Sequence, residues 1–400
     1  MQSSGRLSTR LFFFGKEHGA VPDLIQPERL VDRAIDRLGP IAGRLLRRIT
    51  PRPPVGLRLS EEELERARRL LAAHPAIDAH AHPGRSFVRG AEGLSLKLRL
   101  FAALGAFEGE TVRDMRTGGL GAVVNATVAD FQVLDVAGGR LCAVRPFEER
   151  EAWNSYRRQI ANLHRLTELG LMRVVRTPAE LRSARTDVPG QLLAVEGGDF
   201  LEGRAERLAD AWADGVRVIT LVHFRNNEIG DAMTEAGGHG GLTAAGVEVV
   251  REMNRLGMVI DVAHASEATV RGVLDASSDP IIASHTHVRG GRIDSPRFIS
   301  RELAREIANR GGLIGTWPAG IGISSLAGFV DRIAELTDVV GVDHVCLGTD
   351  MDANYRPVLD TYARLPWLAG GLLRSGFSEE DAAKILRGNF VRLFDRVCGS

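Results

Sequence analysis

The stretch Gly257–His285, GMVIDVAHASEATVRGVLDASSDPIIASH, decides the fold. It holds two apolar runs, MVIDVAH and PIIASH, each rich in β-branched residues and each ending in a histidine, with a helix-patterned segment between them. That is a β-α-β unit. The 21 residues from His264 to His285 are about what one strand end, one helix and one parallel strand require. The two imidazoles should therefore sit side by side, and because ligands bind at the carboxyl ends of parallel strands, both are candidate metal ligands.

The same alternation extends in both directions. Apolar strand candidates occur at 76–82, 121–128, 191–197, 216–223, 258–264, 280–285, 312–317 and 344–350. The separators include EVVREMNRLG, SEATVRGVLDA, SRELAREIANRG and GFVDRIAELTDVVG, several closed by a glycine. A further short strand is expected in LMRVVRT (171–177), ahead of a helix in PAELRSAR. Eightfold α/β alternation without a domain-scale break indicates a (β/α)8 TIM-type barrel, with a doubly wound open sheet as the alternative. Ser60 and Glu63 form a capping box that opens a helix leading into the first strand, and helices around SEEDAAKILRGNFVRLFDRV close the chain. Residues 57–400 are thus read as one barrel domain with C-terminal helices. Residues 1–56 are read as an N-terminal extension in which Pro27, Pro40, Pro51, Pro53 and Pro54 punctuate short helical patterns. Its Arg44, Arg47 and Arg48 form a basic face that either meets a partner or membrane surface or packs, solvated, on the barrel.

Charge excludes several function classes. Basic and acidic residues both number 51, which gives no net electrostatic case for nucleic acid or an anionic membrane and favours a small-molecule substrate. Cys142, Cys346 and Cys398 are far apart and contain no C-x-x-C pair, so neither a disulfide framework nor a cysteine zinc site is expected. The apolar patch Leu11–Phe14 is too short for a secretory segment and no run is long enough to span a membrane, so a cytoplasmic location is the expectation.

Six of the eight strands end in a residue able to bind metal or move a proton. These are His80 and His82 on the first, Glu196 on the third, His223 on the fourth, His264 on the fifth, His285 on the sixth and Asp350 on the eighth. His287 is ambiguous, whereas His18, His74, His164, His239 and His344 fall where a structural role is expected. Residues i and i+2 share a strand face, so His80 and His82 point together into the barrel mouth. Four imidazoles and a carboxylate suit zinc, with manganese, cobalt and iron as alternatives. They exceed what one open site needs and fit two divalent ions, with His80 and His82 on one, His264 and His285 on the other, and Glu196 bridging. Water held between two such ions has its pKa pulled toward ~7, and Asp350 is placed to take its proton. The three lysines, Lys16, Lys97 and Lys384, all lie away from strand ends, which excludes a carbamylated lysine as the bridge.

The motifs VEGGDF (195–200), LVHFRNNEIGD (221–231), GLTAAGVEVVREMNRLGMVIDVAHAS (241–266), PIIASH (280–285) and LGTDMD (347–352) resemble those of the membrane dipeptidase (renal dipeptidase) family of zinc metallopeptidases, within the amidohydrolase superfamily of metal-dependent β/α barrels. The resemblance runs from about residue 60 to the C-terminus. It implies metal-ligand roles for His80, Glu196, His264 and His285, with His223 contacting the scissile carbonyl and its oxyanion. Arg297 corresponds to the arginine that holds the substrate's terminal carboxylate, with Arg289 and Arg292 as competitors, and Asp350 to the last-strand aspartate. A homodimer is a further implication. Two departures stand out. The family reads His-x-Asp where this chain has His80-Ala81-His82, which removes a negative charge from the ligand set and implies a more Lewis-acidic ion. Asp199 and the run HFRNN replace residues that are commonly a histidine and a Thr-His-Asn-type run.

The leading expectation is therefore a binuclear zinc dipeptidase that tolerates a D-residue at the C-terminal position. The alternatives are an amidohydrolase acting on another amide, ester or lactam, such as a step in tailoring a peptide natural product, and a non-catalytic relative.

Overall fold

A computed structural model describes residues 27–104, 107–290 and 294–399. Eight parallel strands form the barrel wall: β1 (Ala76–Ala81), β2 (Leu120–Val128), β3 (Gly190–Glu196), β4 (Val216–Thr220), β5 (Val259–Asp261), β6 (Ile282–Thr286), β7 (Leu313–Thr316) and β8 (Val345–Leu347). They pair in chain order. A parallel bridge between Ala81 and Met351 brings the end of β8 back to β1, where Asp350 N donates to His80 O at 2.8 Å and His82 N to Met351 O at 3.0 Å. The result is a nearly closed (β/α)8 barrel, and the open-sheet alternative is set aside. All eight apolar runs in the sequence become these strands, and Arg173–Val174 adds the short extra pairing beside β3. They were legible because strands buried on both faces read as continuous apolar runs.

The barrel interior is filled by side chains from every strand, including Ile77, Val124, Leu192, Val218, Val259, Ile282, Leu313 and Cys346. Phe390 and Phe394 of the helix Asn389–Cys398 join this cluster. That helix lies across the strand starts, where Asn389 Nδ2 donates to the carbonyls of Val342 and Val345 at 2.7 and 2.8 Å. The N-terminal end of the barrel is thus plugged, and its polar residues collect at the other end. On β1, Ile77 and Ala79 face this inner cluster while Ala81 packs with the outer layer. The pairing register shifts between Asp78 and Ala81, and this change of phase turns His80 and His82 into the mouth.

Three strands end earlier than the sequence indicates, at Thr220, Asp261 and Leu347, so that His223, His264 and Asp350 lie three residues beyond them. His264 and Asp350 adopt left-handed backbone conformations, with φ of 66° and 54°, which no regular strand can continue. The barrel is wrapped by helices, beginning with α2 (Glu61–Ala73), whose capping box joins Ser60 and Glu63 as expected. A two-stranded hairpin, Leu134–Ala137 with Arg140–Ala143, follows β2 and was not expected.

In the N-terminal segment the expectation of short, proline-broken helices is corrected. One helix, α1 (Pro27–Ile49), runs through Pro40. A proline inside a helix loses one hydrogen bond and crowds the preceding turn. Here the helix is clamped on either side of Pro40: a Cβ on Gly39 would lie 2.5 Å from Ala103 Cβ, and one on Gly43 would lie 2.4 Å from Leu104 O. Only glycine permits this approach, and the contact offsets the local cost. Arg44 Nε donates to Glu110 at 2.9 Å, Arg47 pairs with the same carboxylate, and the Arg47 guanidinium sits 3.3 Å over the Phe107 ring.

Candidate metal centre

Glu196, the last residue of β3, is the hub of the barrel mouth. Its Oε1 lies 3.3 Å from His80 Nε2, 3.2 Å from His264 Nε2 and 3.5 Å from His285 Nε2. Its Oε2 lies 3.4 Å from His82 Nε2 and 3.3 Å from His223 Nε2. Asp350 Oδ1 closes the ring, 3.5 Å from His82 Nε2. All these side chains are buried except Asp350, which is 14% exposed and is the most accessible group of the set. The two oxygens therefore divide the imidazoles as three and two. Sequence reading places His80 and His82 on one ion and His264 and His285 on the other, and all four rings reach this one carboxylate.

The donor set fits a cation. Ligand atoms of His80, Glu196 and His285 fall within 4.8 Å of one another, as do those of Glu196, His223 and His264 and those of His80, His82 and Asp350. His80 Nε2 and His82 Nε2 are buried without a hydrogen-bond partner, an arrangement that costs free energy unless an ion or water satisfies them. His82 Nδ1 lies 2.8 Å from Ala126 O, which accepts its proton and leaves the Nε2 lone pair facing inward. Nε2 of His264 and Nε2 of His285 approach to 2.9 Å, two lone-pair-bearing atoms aimed at one place.

Electrostatics sharpen this picture. Burial, followed by the charges of Arg297 and His223, holds His264 well below the ordinary imidazole value, and burial with His80 and His264 does the same to His285. Both are thereby kept neutral, as ligands must be. Burial also opposes protonation of His82, but the Asp350 and Glu196 carboxylates facing its Nε2 more than reverse this and lift its pKa to about 10. Two carboxylates thus favour a positive charge at this point, whether a proton or a metal cation. Burial would raise Glu196, yet His223 and His80 keep it well below the usual carboxylate range.

A second layer fixes the first. Asp130 Oδ1 takes the Nδ1 proton of His223 at 2.6 Å, and its other oxygen accepts from Phe224 N at 3.0 Å. Burial opposes a charge on His223, but Asp130 and then Glu196 raise its pKa. Sequence reading missed Asp130, which follows β2, one of the two strands to which it assigns no functional end. Its only signal was an aspartate two residues past a strand exit. Asp261, fully buried, accepts from Thr220 Oγ1 and Ser284 Oγ at 2.6 Å each, and Ser284 Oγ lies 2.9 Å from His285 Nδ1. Asp78 ties β1 to the loop after β8 through Thr349 N at 2.9 Å and Tyr362 Oη at 2.7 Å.

Arg297 reaches the same place. Its Nη2 is 2.7 Å from His264 Nε2, its Nη1 is 3.2 Å from Met233 Sδ, and its guanidinium lies 5.2 Å over the Trp317 ring. It is buried, which pushes its pKa down to about 10, and among the described residues no carboxylate comes within ion-pair distance. Its competitors fare differently. Arg289 is turned toward Glu267, 3.8 Å away, and Arg292 lies outside the described residues. His287 bonds to Glu335 at 3.2 Å and packs on Phe298, away from the cluster. His164, His239 and His344 bind backbone carbonyls, in keeping with structural roles, and His18 lies outside the described residues. Lys97 and Lys384 are also elsewhere, bonded to Val136 O and to Asp343 and Glu380. The two departures at 199 and in HFRNN are partners: Arg225 pairs with buried Asp199, whose pKa burial and Asp130 raise to about 6.

A (β/α)8 barrel with histidines and carboxylates converging at its strand exits defines a metal-dependent hydrolase scaffold. The chain belongs to the membrane dipeptidase family (peptidase family M19), whose family model matches residues 64–398. It is 30% identical over 260 residues to dipeptidase verJ of Clonostachys rogersoniana, a match covering 62% of this chain and 66% of that protein. It is 31% identical over 218 residues to human dipeptidase 3, covering 52% and 44%. The chain thus spans about half to two thirds of the length of these curated relatives. Among solved structures, a metallopeptidase from Rhodobacter sphaeroides bound to a phosphinate mimic of L-Ala-D-Ala shares the fold at a TM-score of 0.65 and 22% identity, over 81% of this chain and 99% of that one. A probable dipeptidase from Pseudomonas aeruginosa does so at 0.68 and 18%, over 85% and 100%.

Proposed function

We propose that this protein is a metal-dependent dipeptidase whose centre is built from His80, His82, Glu196, His264 and His285 and holds two divalent ions, zinc being the best match to the donor chemistry. When bound, such ions activate water as a nucleophile at neutral pH and polarise the scissile carbonyl. Glu196 holds the ligand set together from its centre. His223 Nε2, with its proton placed by Asp130, donates to the oxygen on which negative charge develops. Arg297 grips the terminal carboxylate of the substrate as a fork and so fixes the peptide bond over the cluster. Asp350, the accessible carboxylate of the set, accepts the proton of the attacking water and hands it to the leaving amine. In this reading residues 57–400 are the catalytic barrel and residues 1–56 an extension. The three cysteines, all free, support a cytoplasmic setting, and among the described residues no helix is long and apolar enough to cross a membrane.

The buried guanidinium of Arg297 carries this reading, because a desolvated cation without a carboxylate partner beside a hydrolytic cluster is matched by a substrate that brings its own carboxylate. A panel of L-Xaa-L-Xaa and L-Xaa-D-Xaa dipeptides, their C-terminal amides and N-acyl amino acids tests it. Hydrolysis of free dipeptides with little turnover of the amides is expected, and preference for the amides would overturn it. The Asp199–Arg225 pair favours one second reading, a related amidohydrolase with a different amide or lactam substrate, since it rebuilds the wall beside His223.

A further inference from the structure

Helix α1 docks on the barrel by the face that carries its glycines, Gly39 and Gly43, together with Arg47. From Leu38 onward its larger apolar residues are turned away. Leu38, Ile41, Leu45 and Ile49, spaced by three or four, line one outward stripe that Leu46 widens, and these five side chains remain 46 to 66% exposed. An amphipathic helix on a soluble body ordinarily packs this stripe inward and leaves small or polar residues outside. Arg37, Arg44 and Arg48, spaced by seven and four, run along one flank of the stripe. No acidic residue occurs from Arg37 to Thr50, although the chain as a whole has equal numbers of acids and bases. Arg44 is engaged by Glu110, whereas Arg37 and Arg48 have no partner among the described residues.

We propose that the outward face of α1 is a peripheral membrane-binding surface that lies on an anionic bilayer, with Leu38, Ile41, Leu45 and Ile49 in the acyl boundary and Arg37 and Arg48 among the headgroups. Apolar burial and attraction of arginine to anionic lipid act together on such a helix. Charge complementarity selects this occupant over a second copy of the chain. A facing copy of the same stripe brings only further arginines and no carboxylate from residues 37–50. The surface anchors the enzyme without spanning the bilayer.

Co-sedimentation of the full chain with phosphatidylcholine vesicles and with mixed phosphatidylcholine and phosphatidylglycerol vesicles tests this. The protein is expected to bind the mixed vesicles, and the double variant Ile41→Glu/Leu45→Glu to lose about tenfold or more of that binding. Arg37→Gln/Arg48→Gln should lose about threefold or more and with it the preference for anionic lipid. Thermal melts should be unchanged in both, since every substituted side chain is exposed. Failure of the wild-type chain to bind mixed vesicles, or undiminished binding by the double glutamate variant, would overturn the proposal. So would a lipid-free dimer that the glutamate variant splits, because the stripe would then seat a second copy.

Discussion

At the barrel mouth, five imidazoles and Glu196 are buried where a protein core ordinarily places aliphatic side chains; along α1, five large aliphatic side chains stand in solvent where arginine and glutamate are the usual occupants. Each region inverts the burial rule, and each does so by a different means. The mouth is held by a closed ring of strands and by buried carboxylates, Asp78, Asp130 and Asp261, that orient its side chains one by one. α1 is held by close approach at two glycines. The lesson is that an inversion enforced by many buried hydrogen bonds is part of the fold and must be met by a partner of matching charge. One enforced by a single docked face can be altered without disturbing the barrel.

The contrast is broken most directly at its centre. Glu196→Ala should release bound metal and lower kcat/KM on a dipeptide by about 1000-fold or more, and dialysis against a chelator should do the same to the wild type. Metal analysis beside steady-state kinetics checks both, and retention of metal and rate by the variant would remove Glu196 from the metal centre. Arg297→Gln should cost about 100-fold in kcat/KM on free dipeptides while changing the slow turnover of their amides little, which separates carboxylate recognition from general damage. Asp130→Asn should lower the rate by about 10- to 100-fold by releasing the His223 ring, with metal content retained. His82→Asp restores the carboxylate of the family pattern, and a shift in metal content or substrate range of severalfold is expected; identical values for both would show that the charge at this position does not tune the ion. Gly43→Leu lies at the other end of the scale. It should weaken docking of α1 by about 1–3 kcal/mol, seen as faster proteolysis near residues 27–56, with hydrolysis of a soluble dipeptide unchanged.

The barrel was legible because its strands are apolar throughout, and the mouth because five histidines fall at strand exits, a joint placement that no single histidine would have supported. What escaped did so for physical reasons. Asp130 carries no pattern: it is one aspartate after a strand, and only the fold brings it to His223, 93 positions away. The hairpin at 134–143 is short, and its signal is little more than the pair Gly138–Gly139. Pro40 argued for a break in α1 because local sequence gives no sign of the contact with Ala103 and Leu104 that offsets it. The pairing of Asp199 with Arg225 was likewise out of reach, since two unusual residues far apart in sequence gave no hint of being partners.

The left-handed backbone at His264 and Asp350 has a consequence for anyone who would transplant this centre. Copying the histidines, the glutamate and the aspartate onto another barrel with regular strand ends would point two of them away from the others, because their aim is encoded in φ as well as in the side chain. A transferable description of the site is therefore a set of backbone torsions with residues attached. Screens that score designs or distant sequences by residue identity alone will accept scaffolds that cannot close it.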